Sequence, residues 1–141
     1  MHLVMSKPIP PVSKFMTTTP VSIQSGATLA DAQSMMKKHE IRHLPVIDGD
    51  KLLGIITDRD INFIESFPDV DPRQVIVGRT MKGAPYSVAP ETPLDEVALT
   101  MAEQRYGSAV IVQNGHVVGI FTTVDACRCL SELLETRLRK S

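Results

Sequence analysis

The amino-acid sequence predicts an α+β fold made of two copies of one strand-helix-strand-strand-helix unit, packed into one compact module. The first observation is an internal repeat, because residues 12–20 return as 77–85 and residues 54–60 return as 119–125, both 65 positions later. Ten positions are identical between 12–60 and their counterparts, where ordinary residue usage gives about three. The second observation is size. A unit of about 60 residues buries too little surface to be stable alone, so the two copies are expected to pack together.

The composition is that of an ordinary globular protein and excludes several functional classes. The chain has 141 residues, of which 43% are hydrophobic and 22% are charged, with a net charge of −1. It has no broad basic surplus for a nucleic-acid surface, and its longest apolar runs, about four to six residues, are too short to cross a membrane. Residues 1–7 lack the apolar core of a signal peptide, and two cysteines without an export signal favour a reducing compartment. We therefore expect a cytoplasmic protein that contacts neither nucleic acid nor membrane.

Each repeat is expected to begin with an extended segment that leads into a short strand. Residues 1–11 form an extended lead-in, because three prolines in this segment disfavour helix and leave little chance of strand pairing. The first strand of each repeat is predicted after the repeated proline, at 21–23 and at 86–88.

An amphipathic helix comes next in each repeat. In the first repeat Thr28 and Asp31 have the spacing of a capping box. In the second repeat Thr92 is expected to cap the helix, and Pro93 suits its first position. Apolar residues then recur at helical spacing. They are Leu29, Ala32, Met35 and Met36 in the first helix and Leu94, Val97, Ala98 and Met101 in the second.

Two strands joined by a tight turn complete the sheet of each repeat. The predicted strands are 44–47 and 52–57 in the first repeat, and 109–112 and 117–122 in the second. The dipeptide Asn-Gly at 114–115, between two apolar runs, is a strong signal for a hairpin turn.

A second helix begins just after the threonine that ends each hairpin. Pro68 and Pro72 stop the first of these helices and open a linker at 67–76, so the repeats occupy 12–66 and 77–141. The last helix runs toward the C-terminus, and its apolar face consists of Leu130, Leu133, Leu134 and Leu138.

This order of elements resembles the CBS domain, named after cystathionine β-synthase, and two such domains in tandem resemble a Bateman module. The resemblance covers about residues 12–135. It rests on the Gly-h-h-Thr-x-x-Asp segments at 54–60 and 119–125, where h is apolar, and on Ile-Arg-His-Leu-Pro-Val-Ile-Asp at 41–48. It implies a pseudo-twofold axis between the repeats, two clefts that bind adenosine ligands, and a homodimer formed through the helical faces.

The Thr-x-x-Asp segments permit two interpretations. As helix caps, Thr57 accepts a hydrogen bond from a first-turn amide, and Asp60 lies at the positive end of the helix dipole. As a ligand site, the helix N-terminus offers amides to a phosphate, and the carboxylate accepts the hydroxyl groups of a ribose. The resemblance implies that the second role is added to the first. The predicted contacts at the two segments are Thr57, Asp58, Asp60, Thr122, Thr123 and Asp125.

The resemblance also implies that each cleft combines residues of both repeats. The cleft with Thr122 and Asp125 would face Arg42 and His43, whereas the cleft with Thr57 and Asp60 would face Gly107 and Ser108. Arg42 provides a fixed cationic fork suited to phosphate, and His43 could add charge near neutrality. We therefore expect the cleft with Thr122 and Asp125 to prefer the more highly charged ligand.

The base of an adenosine ligand is expected to contact the first strand of a repeat. By resemblance the contacts are Val21 in the first repeat and Tyr86 in the second. Tyr86 would either stack on the base or simply pack against the fold.

Two further sequence patterns could indicate a metal or redox site, but their geometry argues against it. His39-Glu40-Ile41-Arg42-His43 matches H-E-x-x-H, but a zinc site needs both histidines on one helical face. Pro45 forces the preceding residue out of the helical conformation, so His43 is expected in a turn. Cys127 and Cys129 lie two apart and would point in different directions on a helix. Cys127 is predicted to be buried and Cys129 exposed.

The sequence thus favours a regulatory module that binds an adenine nucleotide such as AMP, ADP or ATP, with S-adenosylmethionine or NAD as further possibilities. No cofactor is required, and no catalysis is expected. The alternative is a dimerising interaction scaffold without a small-molecule ligand, in which the Thr-x-x-Asp segments are helix caps only.

Overall fold

The computed structural model describes residues 8–18 and 20–138, except for the side chains of Lys82 and Arg137. The first seven residues of the predicted lead-in therefore lie outside the described part of the chain. The two predicted units are present, and each contains two helices in the predicted order. The first unit consists of β1 Thr17–Thr18, β2 Ile23–Gln24, α1 Leu29–His39, β3 His43–Asp48, β4 Lys51–Thr57 and α2 Asp58–Glu65. The second consists of β5 Lys82–Gly83, β6 Ser87–Val88, α3 Leu94–Gln104, β7 Ser108–Gln113, β8 His116–Thr122 and α4 Thr123–Arg137.

The two units exchange their first strands. In the first sheet the order is β2-β3-β4-β5, and in the second it is β1-β8-β7-β6. Thus β1 of the first unit pairs with β8, where Thr17 lies opposite Ile120, and β5 of the second unit pairs with β4, where Lys82 lies opposite Ile55. Since every residue in one pairing corresponds to a residue 65 positions away in the other, the exchange follows the pseudo-twofold relation implied by the family resemblance. The sequence prediction missed both exchanged strands.

Each sheet packs its apolar side chains against helices of its own unit and against the lead segment of the other unit. The first core contains Leu29, Ala32, Met36, Leu44, Val46, Ile56, Ile61 and also Val77. The second core contains Leu94, Val97, Met101, Ala109, Ile111, Phe121, Cys129 and also Val12. Val12 and Val77 are fully buried in short 3-10 helices, Val12–Lys14 and Val77–Arg79. The sequence units 12–66 and 77–141 therefore differ from the packed halves, because each gives its first segment to the other.

The N-terminus of α3 differs from the prediction. Pro93, not Thr92, is the N-cap of α3, and no side chain caps this helix. The reason is that Pro93 occupies the position of Thr28 in the other unit, so no hydroxyl is available there. The backbone of the lead-in takes over part of this role, since the amide of Leu94 donates to the carbonyl of Pro10 at 2.9 Å and the amide of Val12 donates to the carbonyl of Thr92 at 2.8 Å. The prolines of the lead-in therefore did not prevent backbone pairing.

The prediction of which cysteine is buried is wrong. Cys129 is buried in the second core and Cys127 is exposed. Since α4 begins at Thr123, Ala126 and Cys129 lie one turn apart on the face that packs against the sheet. Burial, with a smaller contribution from the charge of Glu132, raises the pKa of the Cys129 thiol.

The apolar residues toward the end of α4 do not join either core. Leu130, Leu133, Leu134 and Leu138 are all exposed. Among the described residues, no helix has the length and hydrophobicity needed to span a bilayer.

Candidate functional site

Both Thr-x-x-Asp segments form complete capping boxes at the N-termini of α2 and α4. At α2 the hydroxyl of Thr57 accepts from the amide of Asp60 at 3.2 Å, and the Asp60 carboxylate accepts from the amide of Thr57 at 3.0 Å. At α4 the corresponding distances between Thr122 and Asp125 are 3.3 Å and 2.9 Å. The capping role is therefore real at both segments, and any ligand role is additional to it.

The first amides of α2 already have partners within the protein. The amide of Asp58 donates to the carbonyl of Arg42 at 3.1 Å, and the amide of Arg59 donates to the carboxylate of Asp58 at 2.9 Å. Together with the capping box, these bonds occupy the first three amides of the helix. At α4 the amide of Thr123 likewise donates to the carbonyl of Gly107 at 3.2 Å. The structure thus differs from the expectation that the N-terminus of α2 offers unoccupied amides to a phosphate.

A cleft of about 780 Å³ lies where the two units meet. The predicted site residues that line it are Val21, Arg42, His43, Thr57, Asp58, Gly107, Thr122, Thr123 and Asp125. The structure therefore brings Arg42 and His43 of the first unit to the Thr-x-x-Asp segment of the second unit. Thr57 and Gly107, which were expected in the other cleft, line the same space. Asp60, Tyr86 and Ser108 are not among the lining residues. We call this space the Asp125 cleft.

Asp125 is the most buried charged group of the cleft, with a relative exposure of 7%. One of its carboxylate oxygens accepts from the hydroxyl of Thr17 at 3.3 Å, and the same oxygen lies 3.7 Å from Nη1 of Arg128. The other oxygen accepts from Thr122, both from its amide and, at 3.2 Å, from its hydroxyl. Asp125 is thus held in place by a side chain of β1, which the sequence places 108 residues away.

Four arginines line the Asp125 cleft, and they are Arg42, Arg59, Arg105 and Arg128. The lining carboxylates are fewer, namely Glu40, Asp58 and Asp125. Arg42 is highly accessible, since its side chain is 81% exposed. Its Nε lies 3.9 Å from a carboxylate oxygen of Asp58. This distance leaves the guanidinium able to turn toward a phosphate, because an exposed pair of this kind is weak. The cleft is therefore suited to an anionic ligand.

The sequence prediction missed Thr17, Arg105 and Arg128. Arg128 lies one helical turn after Asp125, and this i,i+3 spacing is a signal that could have identified it. Thr17 and Arg105 carry no such signal. Thr17 reaches the cleft through the strand exchange, and Arg105 reaches it because the chain turns at the end of α3, where Arg105 adopts a left-handed conformation with φ 59°.

His43 lies against Gly107 across the pseudo-twofold axis. A Cβ added to Gly107 would lie 2.9 Å from Nε2 of His43, so a larger residue there would require the imidazole to shift. Burial lowers the pKa of His43 below its ordinary value, and the positive charge of Arg42 acts in the same direction. The negative charges of Asp58 and Asp60 offset part of this effect. The shift favours the neutral imidazole, against the expectation that His43 adds charge near neutrality.

The residues of the H-E-x-x-H pattern do not share a helical face. His39 is the last residue of α1, Glu40 has a left-handed φ of 54°, and His43 begins β3. Within the described part of the chain, no group of three or more His, Cys, Asp or Glu side chains is placed to hold a metal ion.

Tyr86 takes part in an aromatic contact rather than lining the cleft. Its ring stacks on Tyr106 with a centroid separation of 5.4 Å and an interplanar angle of 29°, and it packs against the second core. Of the two interpretations of Tyr86, the geometry favours packing. Ser108 is buried at the start of β7, opposite Thr122.

Known proteins show the same sequence pattern and fold. The CBS domain family matches residues 12–64 and 76–132. Hypoxic response protein 1 of Mycobacterium tuberculosis is 31% identical over 106 residues, which are 74% of each chain. An inosine-5′-monophosphate dehydrogenase of Korarchaeum cryptofilum is 29% identical over 122 residues, but this match spans 86% of the present chain and only 24% of the dehydrogenase.

Solved structures agree over nearly the whole chain. The protein AcuB of Vibrio cholerae superposes with a TM-score of 0.84 at 30% identity, covering 95% of this chain and 99% of that one. The CBS domain pair of protein MJ0100, solved with 5′-methylthioadenosine and S-adenosyl-L-methionine, has a TM-score of 0.79 at 28% identity, covering 89% and 98%. The repeat, the reciprocal strand exchange and these matches agree, and the chain belongs to the CBS domain family, with two CBS domains in tandem.

Proposed function

We propose that this chain is a regulatory module that binds an adenine nucleotide, such as AMP, ADP or ATP, in the Asp125 cleft and has no catalytic activity of its own. The observation that carries the proposal is the meeting, in one cleft, of a buried carboxylate from the second CBS domain with Arg42 of the first. A ribose needs hydroxyl acceptors and a phosphate needs cations, and the cleft supplies both. The MJ0100 domain pair, solved with two adenosine compounds, supports the same ligand class.

Each part of the cleft has a proposed role. Asp125 accepts the ribose hydroxyls, with Thr122 and Thr123 beside it. Arg42 contacts the phosphate, assisted by Arg59 and Arg105. The base lies against the apolar side chains of Val21 and Ile41, which also line the cleft. Because the lowered pKa of His43 favours its neutral form, its role is to shape the floor of the cleft rather than to add charge.

The binding of a ligand at this position would act on the arrangement of the two domains. The cleft is lined by residues of both, so a bound nucleotide stabilises the arrangement in which they face each other correctly. A ligand shifts such an equilibrium only through its different affinities for the two states. S-adenosylmethionine and NAD share the adenosine part and are included as alternative ligands.

The test is thermal unfolding of the full chain with AMP, ADP, ATP, NAD and S-adenosylmethionine. At a concentration of about one hundred times Kd, a ligand adds about 2.7 kcal/mol to the free energy of unfolding, which raises Tm by roughly 5–10 °C for a chain of this size. The shift is expected to disappear in Asp125→Ala.

The chain offers a matched control for this variant. Asp31 forms the same kind of capping box with Thr28, with both hydrogen bonds at 3.1 Å, but it does not line the cleft. Asp31→Ala should therefore also lower the basal Tm, through the loss of its capping box, and still respond to the nucleotide. Equal loss of response in both variants, or no response of the unmodified chain to any of the compounds, would contradict the proposal.

The alternative is an interaction scaffold without a small-molecule ligand. The exposed leucines of α4 favour it, because a surface of this kind suits contact with another protein. An absence of thermal shifts with every compound, combined with a stable oligomer in solution, would support this alternative.

A further inference from the structure

The pseudo-twofold relation predicts a second cleft, in which the Thr-x-x-Asp segment of the first CBS domain faces the second domain. We infer that this second cleft is closed by the stacked pair of Tyr86 and Tyr106, so that the chain binds one nucleotide, in the Asp125 cleft. The inference rests on the proposed function. It adds the number of nucleotides bound per chain and the structural cause of that number.

The counterparts of the cleft residues identify where the second cleft should lie. Val21 and Ile41 line the Asp125 cleft, and the residues 65 positions later are Tyr86 and Tyr106. In the Asp125 cleft, two aliphatic side chains leave space for a base. In the second cleft, two aromatic rings occupy the corresponding space.

The two rings fill this place with each other. Their centroids are 5.4 Å apart with an interplanar angle of 29°. Aromatic pairs in direct contact have centroids about 4.5–7 Å apart, so no third ring fits between them. Tyr86 also packs against the second core, whereas Tyr106 is 42% exposed at the end of α3. The surface of Tyr86 on which a base would stack is therefore covered by Tyr106.

Two cations of the Asp125 cleft, moreover, have no cationic counterpart in the second cleft. The counterpart of Arg42 is Gly107, and the counterpart of Arg128 is Phe63. Phe63 makes an edge-to-face contact with Phe67, with centroids 5.2 Å apart. A nucleotide phosphate would therefore lose these two charged partners, although Arg105 and Arg59 are the counterparts of Glu40 and Val124. The cleft between the domains reaches Asp125, whereas of the first segment it reaches Thr57, Asp58 and Arg59 but not Asp60.

Calorimetric titration of the full chain with the nucleotide that gives the largest thermal shift tests the inference. The unmodified chain should bind one equivalent. This binding should be lost in Asp125→Asn and retained in Asp60→Asn. Both variants should remain folded, because the amide can still cap each helix. Two equivalents in the unmodified chain, or an equal loss of affinity in both variants, would overturn the inference.

The role of the tyrosines is tested by restoring the aliphatic lining. Tyr106→Ile combined with Tyr86→Val copies the residues of the Asp125 cleft, and this variant should bind a second, weaker equivalent that Asp60→Asn removes. Tyr106→Phe is the matched control, because it keeps the stacked ring and should still bind one equivalent. Circular dichroism verifies that each variant is folded. If the opened variant is unfolded, Tyr106→Ile alone makes the same test, since Tyr106 is the more exposed ring.

A measurement without nucleotide separates this inference from the proposed function. Nuclear Overhauser contacts between the ring protons of Tyr86 and Tyr106 should be present in the free chain, and their absence would overturn the closure. If the contacts are present but no nucleotide binds to the unmodified or the opened chain, the proposed function fails and the stoichiometry fails with it. If the contacts are present and two equivalents bind, only the inference fails.

Discussion

Arg42 is the residue at which the proposed phosphate contact can be separated from the rest of the cleft. Its side chain is 81% exposed, and its ion pair with Asp58 is long at 3.9 Å, so little of the fold depends on it. Its carbonyl oxygen, in contrast, accepts from the amide of Asp58. A substitution changes the guanidinium and leaves this backbone bond in place.

Arg42→Ala is expected to weaken nucleotide binding roughly tenfold or more, equivalent to about 1.4 kcal/mol, while the affinity for adenosine changes little. The reason is that adenosine has no phosphate for the guanidinium to contact. The measurement is calorimetric titration with AMP, ATP and adenosine.

Arg79 is a suitable control for this substitution, since it is exposed in the 3-10 helix before β5 and does not line the Asp125 cleft. Arg79→Ala should leave all three affinities unchanged. Equal losses for adenosine and AMP in Arg42→Ala would show that Arg42 does not contact the phosphate.

At the scale of the element, the exchanged strand β1 links the two domains. The residue before it, Met16, closely approaches Gly119 of the other domain. Met16 lies directly over Gly119 of β8, and a Cβ on Gly119 would overlap its side chain. A residue with a Cβ at position 119 would thus force the Met16 side chain to move, because the first segment of one domain crosses β8 of the other. The conformation of Gly119 is not the cause, as no positive φ is recorded for it.

Gly119→Ala is expected to lower the free energy of unfolding by about 1–3 kcal/mol, the usual cost of inserting a methyl group into a packed site. Met16→Ala should largely remove this cost when the two substitutions are combined, because the smaller side chain makes room for the methyl group. Urea unfolding of the two single variants and the double variant measures the coupling. Additive losses would show that Met16 does not cover Gly119 in solution.

At the scale of the whole molecule, the exposed face of α4 is where a second copy of the chain is proposed to bind. The family resemblance implies a homodimer formed through helical faces, and Leu130, Leu133 and Leu134 leave an exposed apolar surface at i, i+3 and i+4 spacing. Burial of such residues between two copies would remove this surface from water.

Leu134→Glu is therefore expected to shift the chain from dimer to monomer, because it places a charge within the apolar surface of each copy. Light scattering coupled to gel filtration measures the mass. Leu99→Glu is the control, since Leu99 is also exposed but lies on α3. A dimer that withstands Leu134→Glu, or one that Leu99→Glu disrupts instead, would place the interface elsewhere.

The sequence predicted the elements of the fold well, because their signals are local. The capping box at Thr28, the hairpin at 114–115 and the alternating apolar residues each involve neighbours within about one helical turn or one hairpin. The start of α3 was missed at Thr92, because the partner of its first amide is the carbonyl of Pro10, more than eighty residues earlier in the chain. The exchanged strands β1 and β5 were missed for the same reason, since their partners β8 and β4 belong to the other domain.

The candidate site, like the fold, was predicted only in part from the sequence. The repeat alone identified the two Thr-x-x-Asp segments and the contrast between Arg42 and Gly107, because both are visible in an aligned pair of repeats. The tertiary structure decided which groups surround Asp125, since Thr17 and Arg105 reach it only through the strand exchange and the turn after α3. It also decided that the pKa of His43 is lowered and that Tyr86 stacks on Tyr106, because burial and ring contacts depend on packing between segments that are distant in sequence.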